Sequence, residues 1–259
     1  MNKSLRKIKD FGIKNYIENK IFKFSKNIFI SFFLKNCDGF VLTKYKVWMK
    51  ENWNDNTFIF CYFGSYGKYL SNILETFNKD YVFLDIGANQ GLYSLISAKS
   101  NFCRNVLSYE PVCSTFKLLN ENINKNLLNE KIISINAGIS SENKEAKIFF
   151  NENHSGEASL TNNASTNSET IKLINHSALN EQIENDHDLI VKIDVEGHEE
   201  VVINELCKID KTNNIKIIVY EIDERWTNHI NIKNILMQQG FKSFEKIGSG
   251  KHYDIVAKR

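Results

Sequence analysis

With 259 residues, 42% hydrophobic and 12% aromatic, the chain can bury the core of one large domain or two small ones, which excludes disorder as its main state. Twelve glycines and a single proline exclude collagen-like and proline-rich classes, and no internal period points to a solenoid or propeller. The net charge of +2 conceals an uneven spread: twelve of the 33 basic and three of the 31 acidic side chains fall in residues 1–50, a net of +9 that leaves −7 for the rest.

Residues 1–55 read as a basic, helical N-terminal extension. Phe11, Tyr16, Phe22, Phe24, Phe29, Phe32 and Phe33 interleave with its lysines. The expectation is helices packed on the main domain or on a second copy of the chain; a peripheral contact with an anionic membrane surface is the alternative. The best apolar run, Ile21 to Leu34, is interrupted by Lys23, Ser25, Lys26 and Asn27 and is too short to span a bilayer. The N-terminus lacks the order of a secretion signal, and Cys37, Cys61, Cys103, Cys113 and Cys207 are scattered without a CxxC pair. A cytoplasmic location, at most membrane-peripheral, is therefore expected.

Residues 56–259 carry an α/β pattern. Tyr81–Ile86, Val106–Tyr109, Ile132–Ile135, Leu189–Ile193 and Ile215–Tyr220 are short apolar runs that predict parallel strands buried on both faces, with crossovers between them. Phe241–Ile247 and His252–Ala257, joined by Gly248-Ser249-Gly250, predict a terminal antiparallel hairpin. The polar stretch at about 140–185 is too long for an ordinary connection and predicts an insertion with extra strands or a substrate loop.

The first predicted strand runs into Asp85-Ile86-Gly87-Ala88-Asn89-Gln90-Gly91-Leu92-Tyr93-Ser94, where two glycines permit a tight turn and close backbone approach to a ligand. The second ends at Tyr109-Glu110-Pro111, placing Glu110 where a doubly wound fold holds the acid for ribose hydroxyls. An adenosine is expected. A dinucleotide turn would be G-x-G-x-x-G; here Asn89 stands at the second glycine, and Asp85 would repel a pyrophosphate while suiting the cationic tail of S-adenosylmethionine.

These residues resemble the FkbM family of S-adenosylmethionine-dependent methyltransferases, through FLDIGANQGLYS (83–94), SYEPVCSTFKLLNENI (108–123), INAG (135–138) and VKIDVEGHEE (191–200). The resemblance implies a class I, Rossmann-like methyltransferase fold: a seven-stranded sheet of order 3-2-1-4-5-7-6, its seventh strand antiparallel, in an enzyme acting mostly on hydroxyl groups. It implies Asp85, Gly87, Ala88, Asn89 and Gly91 on the cofactor turn, with Tyr93 and Pro111 beside that site, Glu110 on the ribose and Asn136 near the adenine. It also places Asp194, Glu196 and Gly197 beside the transferred methyl group.

Methyl transfer to oxygen needs a hydroxyl that is deprotonated or polarised. Asp194 is expected beside it, with His198 as candidate base, Glu196 next to them, and Glu199 and Glu200 favouring the start of the following helix. Asp194 with Glu221 or Asp223 would alternatively offer oxygen ligands to Mg²⁺. The insertion loop His154–Leu160 is expected near the acceptor, and with the family precedent it suggests a sugar hydroxyl on a nucleotide-activated sugar or a bacterial capsule or lipopolysaccharide glycan.

Since Pro111 is the sole proline, neither an Asp-Pro-Pro-Tyr motif nor a Pro-Cys nucleophile exists, and nucleic acid is disfavoured as substrate. No HExxH, Walker or Gly-x-Ser-x-Gly motif occurs. The alternatives are a metal-dependent nucleotide-sugar glycosyltransferase using Asp194-Val195-Glu196, and a membrane-surface module built on residues 1–50.

Overall fold

The computed structural model describes residues 38–259 except 152–153, 161–166 and 185, and leaves the side chains of Asn151, His154 and Glu157 undescribed. Most of the expected N-terminal extension, and with it the membrane reading, lies outside the described residues. The chain divides into two compact units, residues 1–41 and 42–259. Of the first, only the turn at Asp38 and Gly39, both with positive φ, and the start of strand β1 (Phe40–Leu42) are described. In the second, residues 42–55 carry a turn and strand β2 (Trp48–Lys50) where a helix was expected. Thr43 closes that turn on the Val47 carbonyl with both its amide, at 2.9 Å, and its hydroxyl, at 3.0 Å.

Helices α1 (Asn56–Phe63) and α2 (Lys68–Thr76) precede the main sheet. Strands β3 (Tyr81–Ile86), β4 (Cys103–Tyr109) and β5 (Ile132–Ile135) alternate with helices α3 (Leu92–Ala98) and α4 (Cys113–Lys125). After an insertion come α5 (His176–Asn180), β10 (Asp188–Ile193), α6 (Glu199–Leu206), β11 (Ile215–Asp223), α7 (His229–Gln238), β12 (Ser243–Ile247) and β13 (His252–Lys258). The sheet order is β12-β13-β11-β10-β3-β4-β5, all neighbours parallel except β13, which runs antiparallel to both β11 and β12. This is the expected 3-2-1-4-5-7-6 order.

The strands sit where the apolar runs placed them because a strand covered on both faces has no polar alternation to keep. All six residues of β3 are buried, and Leu84, Ile86, Val191, Ile193 and Tyr220 join one core with the helices. The insertion folds as a second sheet of order β6-β9-β7-β8, from β6 (Gly138–Ile139), β7 (Lys144–Asn151), β8 (His154–Ser159) and β9 (Asn167–Ile174). Ile148, Ile171 and Leu173 of this sheet form a small core with Val112, which precedes α4. Among the described residues, no helix is long and apolar enough to cross a membrane.

Candidate active site

The carboxyl ends of β3, β4 and β10 converge. Gly87, at φ +75, follows β3 with no room for a side chain: a Cβ there would lie 1.9 Å from the Asp194 carbonyl oxygen. The amides of Gly87 and Ala88 both donate to the Tyr109 carbonyl, at 3.0 and 2.9 Å. Asn89 also adopts positive φ, and its amide donates to Glu110 Oε2 at 2.9 Å. Gly91, at φ +88, opens α3 where a Cβ would meet Leu119 at 2.4 Å. The turn is therefore held to glycine at Gly87 by the Asp194 backbone and by positive φ, and at Gly91 by positive φ with the Leu119 side chain close by.

Two cavities flank Asp194. The first is a narrow slot of about 60 Å³ between the β3 and β4 turns and the small sheet, lined by Gly87, Asn89, Glu110, Pro111, Ser155, Asp194, Glu196 and His198 among others. The second, about 330 Å³, is lined by Tyr66, Lys68, Tyr69, Tyr93, Lys192, Asp194, Glu221 and Asp254 among others. Ligand sites commonly run from about 300 to 1,000 Å³, a range the second cavity reaches and the slot does not.

Glu110 faces the slot with each carboxylate oxygen taking one backbone amide, from Asn89 and from Val112, both at 2.9 Å. Burial pushes its carboxyl up to about 7 in spite of these two donors. Each oxygen keeps a lone pair for a hydroxyl donor. Asn136 does not line the slot; its amide donates to the carbonyls of Glu110 and Pro111 at 2.8 and 3.0 Å and so fixes the backbone that carries the acid.

Asp85 is wholly buried and lines neither cavity. The cation expected from a ligand comes from the protein: Lys192 lies beside it in the β3–β10 register, with Nζ 3.6 Å from Asp85 Oδ1, 3.4 Å from Asp194 Oδ2 and 2.5 Å from the Gly87 carbonyl oxygen. Ser94 donates to the other Asp85 oxygen at 2.6 Å. Burial would strip the Lys192 proton, but the Asp194 and Asp85 carboxylates outweigh it and raise its pKa.

Asp194 is 21% exposed at its side chain and is held by Lys192 and by the Tyr66 hydroxyl, which donates to Oδ2 at 3.2 Å. Glu196 sits at positive φ, and burial first, then Asp194 and Glu221, lift its carboxyl to about 9. Glu221 is raised to about 7 by burial and by Asp194, while its bond with His252 lifts that imidazole to about 9. Asp194, Glu196 and Glu221 each offer a ligand oxygen, all within 4.8 Å of one another. Asp223 does not join them. Arg225 grips it through Nε at 2.9 and 2.8 Å and through a further contact from Nη2, and that hydrogen bonding pulls its pKa to about 2.

His198 lines the slot, but its Nε2 lies 3.1 Å from Ser140 Oγ in the insertion, and burial and Lys144 lower its pKa. Glu199 is buried and accepts from the Gly197 amide and the Thr227 hydroxyl, each at 3.0 Å, a helix-start role as expected. Tyr93 lines the second cavity, and its hydroxyl donates to the Gly67 carbonyl at 3.2 Å.

Asp55 was not singled out in the sequence. Fully buried, it caps α1 through Thr57 at 3.0 Å, receives the Gln90 amide of the cofactor turn, and takes the Ser155 amide and hydroxyl at 3.2 and 2.6 Å. The segment expected as an acceptor loop is strand β8, and Ser155, Gly156, Ala158 and Leu160 line the slot instead of the second cavity. The one signal for Asp55 was an acid before a helix; for Lys192 it was a charged residue inside an otherwise apolar strand.

A glycine turn and an acid on adjacent parallel strands, in a seven-stranded sheet with one reversed strand, define a Rossmann-like methyltransferase fold. The chain belongs to the methyltransferase FkbM domain family, whose pattern matches residues 85–243. The methyltransferase FkbM of Methylobacillus flagellatus KT has a similar structure, at 14% identity and TM-score 0.52, over 71% of this chain and 44% of that one. Also similar are the precorrin-6y C5,15-methyltransferase of Geobacter metallireducens GS-15, at 12% identity and TM-score 0.43 over 73% and 85% of the two chains, and M. capricolum TrmK in complex with S-adenosyl-homocysteine, at 13% and 0.46 over 73% and 65%. No curated protein matches the chain. With the family, the glycosyltransferase alternative falls.

Proposed function

We propose that the chain is an S-adenosylmethionine-dependent O-methyltransferase acting on a saccharide hydroxyl. The observation that carries this reading is Asp194, shared by the slot that holds Glu110 and by the wider second cavity. Glu110 receives the ribose hydroxyls, Gly87, Asn89 and Pro111 shape the slot, and Asp85, Gly91 and Asn136 support it from behind. The bound cofactor supplies an electrophilic methyl group on a sulfonium. Asp194 orients the acceptor hydroxyl and takes its proton, its carboxylate held in place by Tyr66 and Lys192.

Lys192 lies against Asp194 and His252 against Glu221, so in this reading the two carboxylates are balanced without a divalent ion. Chelation with EDTA should leave turnover unchanged, and its loss on chelation would restore the ion to the mechanism. His198, turned to Ser140, serves as a wall of the slot in this reading and not as the base.

The decisive experiment combines a labelled methyl donor, a panel of sugars and nucleotide-linked sugars, and calorimetry with S-adenosylhomocysteine. Asp194→Asn should bind S-adenosylhomocysteine as the wild type does while turnover falls about 10²- to 10⁴-fold. Full activity of Asp194→Asn would overturn the assignment, and failure of the wild type to bind S-adenosylhomocysteine would overturn the cofactor.

A further inference from the structure

We infer that the second cavity seats an acceptor sugar bearing a protonated amino group and turns away sugars that carry phosphate or carboxylate. The inference rests on the sugar-methylating reading and adds the charge of the acceptor to it. Three aromatic rings, Tyr66, Tyr69 and Tyr93, face the cavity, and Tyr66 and Tyr93 lie 5.9 Å apart between centroids. Such a wall suits the apolar face of a sugar ring while leaving its hydroxyls free.

Beside these rings the cavity is acidic, with three carboxylates against two lysines among its lining residues. Asp194, Glu221 and Asp254 line it from β10, β11 and β13. Lys192 is committed to Asp85, Asp194 and the Gly87 carbonyl, and His252, outside the lining, to Glu221, while Lys68, the first residue of α2, lines the cavity from an exposed position. Asp254 stands directly opposite Glu221 in the β11–β13 register, and like charges so placed oppose each other. Burial pushes Asp254 up to about 6 with Asp194 adding to it, while Lys192 and His252 pull the other way. An ammonium brings three donors and one positive charge to these carboxylates; a phosphate brings more negative charge to a place that already sheds it. A nucleotide-linked sugar would have to keep its diphosphate outside the cavity.

The test uses the full chain saturated with S-adenosylhomocysteine and methyl glycosides of gluco-, galacto- and mannopyranose. Each is compared with its 2-amino, 6-amino, 6-carboxylate and 6-phosphate forms by calorimetry at pH 7. An amino form should bind at least about tenfold tighter than its parent, the expected scale of a charge-assisted hydrogen bond, and the anionic forms should not compete. In Asp254→Asn the amino preference should collapse to near unity while the affinity for S-adenosylhomocysteine holds. Equal binding of amino and neutral forms, or preference for phosphate, overturns the inference and leaves the sugar reading standing. No glycoside binding at all, with S-adenosylhomocysteine bound, overturns both.

Discussion

Lys192 turns a strand register into a charge arrangement. It reaches the carboxyl edge of the sheet between two acids because β10 pairs in parallel with β3, which sets Lys192 against Asp85, and because Asp194 follows two residues later. The sequence made Asp85 legible as a carboxylate needing a cation, yet offered a ligand as its source, since spacing along one chain does not reveal a partner 107 positions away. Glu110 was legible for the opposite reason: its place at the end of the second strand is a property of the fold. Gly87 is the residue whose change tells most. In Gly87→Ala, the new Cβ meets the Asp194 carbonyl in a left-handed backbone. Loss of more than about 2 kcal/mol of stability in chemical denaturation and of measurable S-adenosylhomocysteine binding is expected.

At the scale of elements, the insertion separates what periodicity can show from what it cannot. Its length announced extra structure, and β7 and β9 appear inside the expected bounds. Its docking was hidden, because β8 is fastened by hydrogen bonds from Ser155 to Asp55, a hundred residues earlier. Asp55 accepts from an α1 amide, the Gln90 side chain and Ser155 at once, and Asn89 Oδ1 lies 3.0 Å from the Ser155 hydroxyl oxygen. An Asp55→Asn change turns one acceptor oxygen into a donor facing these donors. The expected outcome is a loss of about 2 kcal/mol or more, with faster amide hydrogen exchange in β8 and at Gln90 and little change in β4. Unaltered exchange in β8 would show that the small sheet is held by its apolar core alone.

At the scale of the molecule, all seven strands were legible, with ends shifted by up to three residues; the central ones stood out because both their faces are covered, while β12 is largely exposed, and the order followed from the resemblance carried by four motifs. The site's electrostatics were not legible, since they arise where β10, β11 and β13 bring Glu196, Glu221, Asp254 and His252 together. These groups set a pH dependence. Glu110 and Glu221 at about 7, Glu196 at about 9 and Asp254 at about 6 all hold protons more tightly folded than unfolded, and His252 at about 9 does the same. Each contribution is present in full below the unfolded pKa and is lost as pH rises through the folded one. The thermal midpoint of the ligand-free protein should therefore fall steadily from pH 6 to pH 9, and Glu196→Gln should flatten the upper part of that descent. A midpoint that rises over this range would show that these carboxyls are ionised within the fold.

The backbone touch between Gly87 and Asp194 welds the turn after β3 to the turn after β10. Main chain thereby sets the spacing of the two cavities, since Gly87 lines the slot and Asp194 lines both. Asp194 rises from that junction, so any shift in the β3 turn is felt on each side of its carboxylate.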